Sequence, residues 1–197
     1  MKNIIYSRPT VRMLVLTSLM GLVACANVQM PTPVASVTNH EKIRSANLNP
    51  TQVGEFKLAP GKPASMDTSL SGLRGSSVAP SAGSFSRQLR EELIVELKGA
   101  GLLDPSSAMK IEGELTDSMV DAAIGTGKGR LAARFKVTRD GRSVFDKELS
   151  VEASWESSFM GAVAVPTAIN QYSALYKALV GKLLDDMDFR TAMRNRQ

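Results

Sequence analysis

The only cysteine of this 197-residue sequence is Cys25, which ends the segment LMGLVAC. A lone cysteine cannot close an internal disulfide, and no second thiolate is present to complete a cysteine-based metal site. The residues before it therefore decide what its thiol does. They form an apolar run over 13–23, directly after a basic segment. This placement indicates N-terminal processing rather than redox chemistry.

The first 24 residues have the composition of a secretory signal peptide. Lys2, Arg8 and Arg12 give a positive start without any acidic residue. The apolar run that follows is only about half the length that a bilayer-spanning helix needs. We therefore predict a signal peptide over residues 1–24, which is removed from the working protein.

The cleavage region LVAC resembles the lipobox of bacterial lipoproteins. In that family the signal peptidase cuts before the cysteine, here between Ala24 and Cys25. The resemblance implies a diacylglycerol on the Cys25 thiol, an acyl chain on its new amine and no other cofactor. Ala26 implies sorting to the outer membrane, because an aspartate after the cysteine retains such proteins in the inner membrane. An ordinary signal peptide followed by a stray cysteine is the alternative.

Three carboxylates fall within four residues at Asp185, Asp186 and Asp188. Neighbouring carboxylates can transfer protons or bind a hard cation. No histidine accompanies them, and the glycine spacing of a calcium loop is missing. We interpret them as the end of one helix, with Asp188 capping the next, and predict no metal site.

Two further motifs have the residue types of a catalytic site without the required spacing. In GTGKGR, residues 125–130, Lys128 is followed by Gly129 rather than by serine or threonine, so a phosphate loop is not predicted and a glycine-rich link between strands is. The only histidine, His40, lies in a polar segment, and no GxSxG motif accompanies the serines. We predict no catalytic residues and no enzymatic activity.

The segment SWESSFMGAVAVP, residues 154–166, combines the only tryptophan with a run of small apolar residues. Exposed aromatic side chains here, Trp155 and Phe159, would form a docking patch for lipid or protein. Alternatively, Trp155 ends a strand inside the core and Phe159 packs where the last helix begins. The sequence leaves both interpretations open.

Hydrophobic periodicity predicts the elements that position these residues. Helical spacing runs from an N-cap at Ser84 to Gly101, and again from Pro166, taken as the first helical residue, to Asp185. The segments MKIEGEL, RLAARFKV and VFDKELSVEASW alternate with a period of two, and TQVGEFKLA resembles a fourth strand. Lys147 interrupts the alternation, which we interpret as proximity to a strand end.

This order of elements, β-α-β-β-β-α, predicts an α+β two-layer sandwich. An antiparallel sheet of about four strands would carry two amphipathic helices on one face. We predict a lipidated flexible tether over residues 25–49, a single periplasmic domain over 50–197, and a mobile Ser/Gly-rich loop over 60–83.

Charge excludes one class of function. The net charge of +5 includes three basic residues of the signal peptide, and the remaining charges of both signs are interleaved. The chain therefore lacks the basic surface that nucleic-acid binding requires.

The helix FSRQLREELIVELKGAGLLD, the meander GELTD…GRLAARFKV…VFDKELSVE and the ending LLDDMDF resemble, in layout, YajG-like lipoproteins and the auxiliary lipoproteins of envelope ABC transporters. The resemblance implies a small Gram-negative lipoprotein, anchored in the outer membrane and facing the periplasm, without catalytic residues. We expect a non-enzymatic binding or scaffold protein in outer-membrane maintenance, lipid trafficking or assembly, with an envelope protein or lipid as partner. The alternatives are a hydrolase acting through its carboxylates and a spacer between membrane and peptidoglycan.

Overall fold

The computed structural model describes residues 27–194 and contains two sheets and five helices. Ala24, Cys25 and Ala26 lie outside the described residues. In chain order the elements are β1 (Asn27–Gln29), α1 (Val37–Ala46), β2 (Gln52–Leu58), α2 (Ser65–Thr68), β3 (Leu70–Leu73), β4 (Ser76–Ala79), α3 (Phe85–Gly99), β5 (Met109–Asp121), β6 (Gly125–Arg139), β7 (Arg142–Ser157), α4 (Gly161–Asp185) and α5 (Met187–Met193).

The main sheet has the strand order β2-β5-β6-β7, and the predicted α+β sandwich is confirmed. β5, β6 and β7 form the predicted antiparallel meander, with the turn at Asp140 and Gly141. The pairing of β2 with β5 is parallel, which corrects the expectation of a wholly antiparallel sheet. The cause is the connection: the chain crosses from β2 to β5 through α3, and such crossovers join parallel strands.

The helices α3 and α4 cover one face of this sheet. The predicted apolar positions of α3, Phe85, Leu89, Leu93 and Leu97, are all buried. The buried positions of α4 include Ala168, Ile169, Tyr172, Leu175, Tyr176, Leu179, Val180 and Leu183. Phe189 of α5 stacks edge-to-face on Phe145, with ring centroids 5.6 Å apart, and closes the core at the β6–β7 hairpin end.

α4 begins at Gly161 rather than at Pro166, which lies inside the helix. The Met160 carbonyl already accepts the backbone N–H groups of Val163 and Ala164, so a helical turn forms before the proline. Pro166 has no backbone N–H to donate to a carbonyl of the first turn. Because this turn is exposed, the carbonyl is accessible to water.

The segment predicted as a flexible tether is folded into the domain over its described part. α1 has Ile43 and Ala46 buried against the core, a serine N-cap at Ser36 and a left-handed C-cap at Asn47. The apolar spacing of this helix is weak, so its sequence alone predicts a linker.

The segment predicted as a mobile loop over 60–83 is also ordered, as α2, β3 and β4. β1, β4 and β3 form a second, three-stranded sheet in which Leu73 and Val78 are buried. This small sheet is joined to the end of β5, where the backbone N–H of Ala122 donates to the carbonyl of Gly72 at 2.8 Å. Among the described residues, none of the helices has both the length and the hydropathy of a membrane span.

Candidate functional site

Arg74 joins three loops at one end of the molecule. It lies in the β3–β4 turn with a positive φ of 52°. Its Nε donates to the carbonyl oxygen of Ala122 at 2.6 Å, and its Nη1 donates to the carbonyl of Phe159 at 2.8 Å. Its Nη2 donates to the carbonyl of Ser158 and, at 3.1 Å, to the hydroxyl of Ser157. We call these contacts the Arg74 bridge. They fix the β7–α4 junction against the end of β5.

Four large apolar side chains are exposed at this same end. Ile124 is in the β5–β6 turn, next to Gly125, which pairs with Ser157. Phe159 and Met160 follow that strand pair, and Val163 lies in the first turn of α4. The exposed fractions are 73% for Ile124, 77% for Phe159, 52% for Met160 and 51% for Val163. We call these four residues the apolar tip.

The structure separates the two aromatic residues that the sequence grouped together. Phe159 belongs to the apolar tip, whereas Trp155 is partly buried and packs against the core. The Trp155 ring lies over Gly127, its partner on β6, where any Cβ would overlap the indole. The segment GTGKGR is therefore the beginning of strand β6, where Gly127 makes room for Trp155, which corrects its interpretation as a link between strands.

The described chain also begins at this end. β1 runs parallel to β4, and Asn27 pairs with Ser77. The hydroxyl of Ser77 donates to the Asn27 side-chain oxygen at 3.3 Å. Because the two strands are parallel, Asn27 lies beside the first residues of β4, just after the turn that holds Arg74. Cys25 and Ala26 directly precede this point in the sequence.

The three clustered carboxylates all make ion pairs. Asp185 pairs with Lys42 of α1 and with Arg190, whereas Asp186 and Asp188 accept hydrogen bonds from Lys147 at 2.7 and 3.1 Å. Lys147 therefore lies within β7 and reaches across to α5, which corrects its predicted place at a strand end. No cluster of three or more metal-ligating side chains occurs between residues 27 and 194.

Asp186, not Asp188, caps α5. Its Oδ1 accepts the backbone N–H groups of Asp188 and Phe189, both at 3.0 Å. Partial burial acts to raise the pKa of Asp186, but the hydrogen bonds from Lys147 and from these two N–H groups lower it below its ordinary value. A carboxylate held in this way is a structural cap rather than an acid–base group.

Two glutamates on α3, Glu92 and Glu96, are buried, and Glu96 contacts α1. Glu96 accepts the Ser36 backbone N–H at 3.0 Å and the Asn39 side-chain amide at 2.9 Å, and His40 Nε2 lies 3.7 Å from it. Burial raises the pKa of Glu92 to about 7, although attraction from Lys177 opposes the shift. His40 is thus packed against α3 rather than solvated.

Sequence reasoning missed these glutamates although a signal was present. At about 100° per residue, Glu92 and Glu96 fall within about 20° of Phe85 on the α3 helical wheel. They therefore lie at the edge of the apolar stripe rather than on the outer face, and a buried acid needs a polar partner.

The sheet face opposite the helices is charged. β6 contributes a row of basic side chains, Lys128, Arg130, Arg134 and Lys136. The register places them opposite acidic side chains of β5 and β7. Ion pairs join Arg130 to Asp117 and Arg134 to Asp146. A cleft of about 370 Å³ on this face is lined mainly by Glu55, Lys57, Glu112, Glu114, Arg134 and Lys136. Charges of both signs dominate this face, and Met119 lies among them opposite Arg130.

No family model matches the sequence, and no curated protein matches it. Among solved structures, a Xanthomonas campestris protein of the DUF330 family model is 15% identical with a TM-score of 0.48, over 81% of this chain and 91% of its own. A candidate lipoprotein from Caulobacter crescentus is 14% identical with a TM-score of 0.41, over 55% and 82%. A minor lipoprotein from Acinetobacter baumannii is 15% identical with a TM-score of 0.38, over 72% and 90%. Likeness of this extent assigns neither a family nor a function.

Proposed function

We propose that this chain is a lipid-anchored, non-enzymatic scaffold or binding protein on the periplasmic side of the outer membrane. The observation that carries the proposal is the lipobox, in which Cys25 supplies the acylated residue and Ala26 the outer-membrane sorting signal. Two or more acyl chains on one residue anchor a domain stably, whereas a single chain binds only marginally. Its role would lie in outer-membrane maintenance, lipid trafficking or assembly.

The ion pairs of the carboxylate cluster support a role without catalysis. Asp185, Asp186 and Asp188 are each paired with a lysine or arginine, and Asp186 also caps a helix. Partial burial acts to raise the pKa of Asp186, but its hydrogen bonds from Lys147 and from two backbone N–H groups lower it, whereas a general acid or base needs a pKa near the working pH. If the protein is a hydrolase that uses these carboxylates, a variant with Asp188→Asn should fail to complement a deletion of the gene. Full complementation by that variant argues against this alternative.

Anchoring is tested by fractionating envelopes that contain the full precursor. The wild-type chain is expected in the outer-membrane fraction, with a mass that includes three acyl chains at Cys25. Cys25→Ser should release the protein from the membrane or leave it uncleaved, and Ala26→Asp should move it to the inner membrane. An unmodified Cys25 in the processed wild-type protein would overturn the proposal.

The binding role is tested by crosslinking in cells followed by purification and identification of proteins and lipids. A reproducible envelope partner or a bound lipid is the expected result. If neither a partner nor a lipid is found, the proposed binding role is wrong, and only the membrane anchoring remains proposed.

The charged outer sheet face favours a second candidate, a spacer between membrane and peptidoglycan. Some of its charges pair across strands, as Arg134 does with Asp146, and a face of this kind is compatible with water. A spacer should co-sediment with purified cell wall. Complete recovery of the solubilised protein in the supernatant would exclude that role.

A further inference from the structure

We infer that the apolar tip (Ile124, Phe159, Met160 and Val163) rests in the surface of the same bilayer that holds the acyl chains of Cys25. The inference deepens the proposed function and rests on the lipid anchor that it assumes. It replaces the expectation of a domain that swings on a long tether with a domain fixed by one end to the membrane.

The first argument is the length of chain between the anchor and the fold. A strand begins at Asn27, two residues after Cys25. Consecutive Cα atoms are about 3.8 Å apart, so the Cα of Asn27 lies within about 8 Å of the acylated residue. Asn27 therefore lies at the membrane surface, and whatever surrounds Asn27 lies near it too.

The second argument is what surrounds that point. Asn27 lies beside Ser77, and the β3–β4 turn that precedes this strand carries Arg74. The Arg74 bridge holds the backbone of Phe159 and Ala122 by hydrogen bonds of 2.8 and 2.6 Å. Asn27 and the apolar tip are thus linked through β4, the β3–β4 turn and the Arg74 bridge at one end of the domain.

The third argument is chemistry. The four side chains of the tip are uncharged, and a group of exposed aromatic and aliphatic side chains can enter the boundary between headgroups and acyl chains. Moving a backbone N–H or C=O group from water into this boundary costs free energy unless the group has a hydrogen-bond partner. Here the carbonyls of Phe159 and Ser158 already accept hydrogen bonds from Arg74. The tip can therefore leave water with these two carbonyls of the junction already bonded.

Of the other exposed large apolar residues, Val34 and Val37 lie before and at the start of α1, and two more lie elsewhere. Val144 is near the β6–β7 turn, at the opposite end of β6 from Gly125, and Met187 starts α5. Single exposed apolar residues are ordinary on protein surfaces, whereas a group of them beside an anchor is not. Val144 therefore provides a matched control position that is apolar, exposed and remote from Asn27.

The experiment uses the processed, lipidated protein, with all residues from Cys25 onward, in vesicles of phosphatidylethanolamine and phosphatidylglycerol at a ratio of about 3:1. Because lipidation consumes the Cys25 thiol, Phe159→Cys and Val144→Cys each introduce the only free thiol. Each variant is labelled with the fluorophore NBD, and quenching by a phospholipid that carries a nitroxide on its acyl chain is measured. Both side chains are exposed, so neither substitution should disturb folding.

The expected result is a blue-shifted NBD emission at position 159 and quenching there that exceeds quenching at position 144 by about twofold or more. Equal and weak quenching at the two positions would overturn the inference. Ready formation of a disulfide between two copies at position 159 would also overturn it, by assigning the tip to a second copy of the chain.

Failure of the anchor gives a different result. The purified protein with no added cysteine is treated with the same thiol reagent. Labelling of Cys25 would show that the thiol is free and would overturn the proposed function together with the inference. No labelling, combined with equal quenching at positions 159 and 144, would overturn the inference alone.

Discussion

Trp155 can lie flat on the sheet only because its neighbours on β6 have no side chains. An added Cβ at Gly127 would overlap the indole, and one at Gly129 would press on Leu175. The two glycines thus leave the space that the indole ring occupies. This packing fixes the end of β7, which is followed by the β7–α4 junction and Phe159.

Gly127→Ala is expected to displace the Trp155 ring and to lower the free energy of unfolding by about 1–3 kcal/mol, as overpacking does in other cores. Since Trp155 is the only tryptophan, its emission should shift to the red in the folded variant. Thermal unfolding and fluorescence measure both effects. Gly161→Ala is the control, because a Cβ there meets nothing within 4 Å. An unchanged melting temperature and emission in Gly127→Ala would contradict the packing.

Glu92 makes stability depend on pH. Burial raises its pKa from 4.5 to about 7 in the folded protein. Between these values the folded state holds a proton that the unfolded chain has released, so the free energy of unfolding falls as pH rises from 4.5 to 7. Glu92→Gln should remove this decline and raise stability at pH 8 by about 3 kcal/mol at most.

Denaturant unfolding at several pH values measures the effect of Glu92→Gln. Glu91→Gln is the control, since Glu91 is more exposed and lies on the same helix. Parallel pH profiles for Glu92→Gln and the wild type would show that Glu92 titrates normally in the folded state.

At the scale of elements, α1 is held in place by polar contacts as much as by apolar packing. Glu96 accepts hydrogen bonds from Ser36 and Asn39, and Lys42 donates to the Gly181 carbonyl at 3.3 Å. These contacts join α1 to both α3 and α4.

Glu96→Ala should therefore loosen α1 before it unfolds the domain. Losing a charged acceptor with two donors is expected to cost about 2–3 kcal/mol, because the Ser36 and Asn39 donors lose their partner. Hydrogen exchange across residues 36–46 should accelerate more than exchange in β6. Glu91→Ala, on the same helix, should leave exchange unchanged. Uniform acceleration in all elements would mean that α1 has no separate stability.

The sequence predicts the elements whose pattern is local. Alternation located β5 to β7, and helical spacing located the buried faces of α3 and α4. α1 was missed because only Asn39, Ile43 and Ala46 of its ten residues are buried. β3 and β4 were missed because each has four residues and one buried side chain.

The candidate site was predictable only in part, for the same reason. Phe159 could be recognised because its segment combines the only tryptophan with a run of small apolar residues. Ile124 and Arg74, however, are 35 and 85 residues distant from it in sequence. Their association depends on the strand pairing of Gly125 with Ser157 and on hydrogen bonds to backbone carbonyls. Neither the strand pairing nor these hydrogen bonds produce a periodic pattern in the sequence, so they could not be predicted from it.

At the scale of the whole molecule, the lipid anchor and the apolar tip lie at one end of the domain. They therefore define the orientation of the domain relative to the membrane. β6 has 15 residues, and at about 3.3 Å per residue it extends about 50 Å from the tip to the β6–β7 turn. A domain standing on its tip would hold that turn far out in the periplasm, with the charged sheet face directed sideways.

This orientation predicts unequal energy transfer to a dye in the membrane plane. A donor attached at Phe159→Cys should transfer efficiently, and one at Val144→Cys weakly, because the two positions lie at opposite ends of β6. Inserting 24 Gly/Ser residues between Ala26 and Asn27 should bring the two efficiencies closer, since a flexible chain of that length spans about 27 Å and lets the domain tilt. Equal transfer from both positions in the chain without the insertion would mean that the domain lies flat on the bilayer.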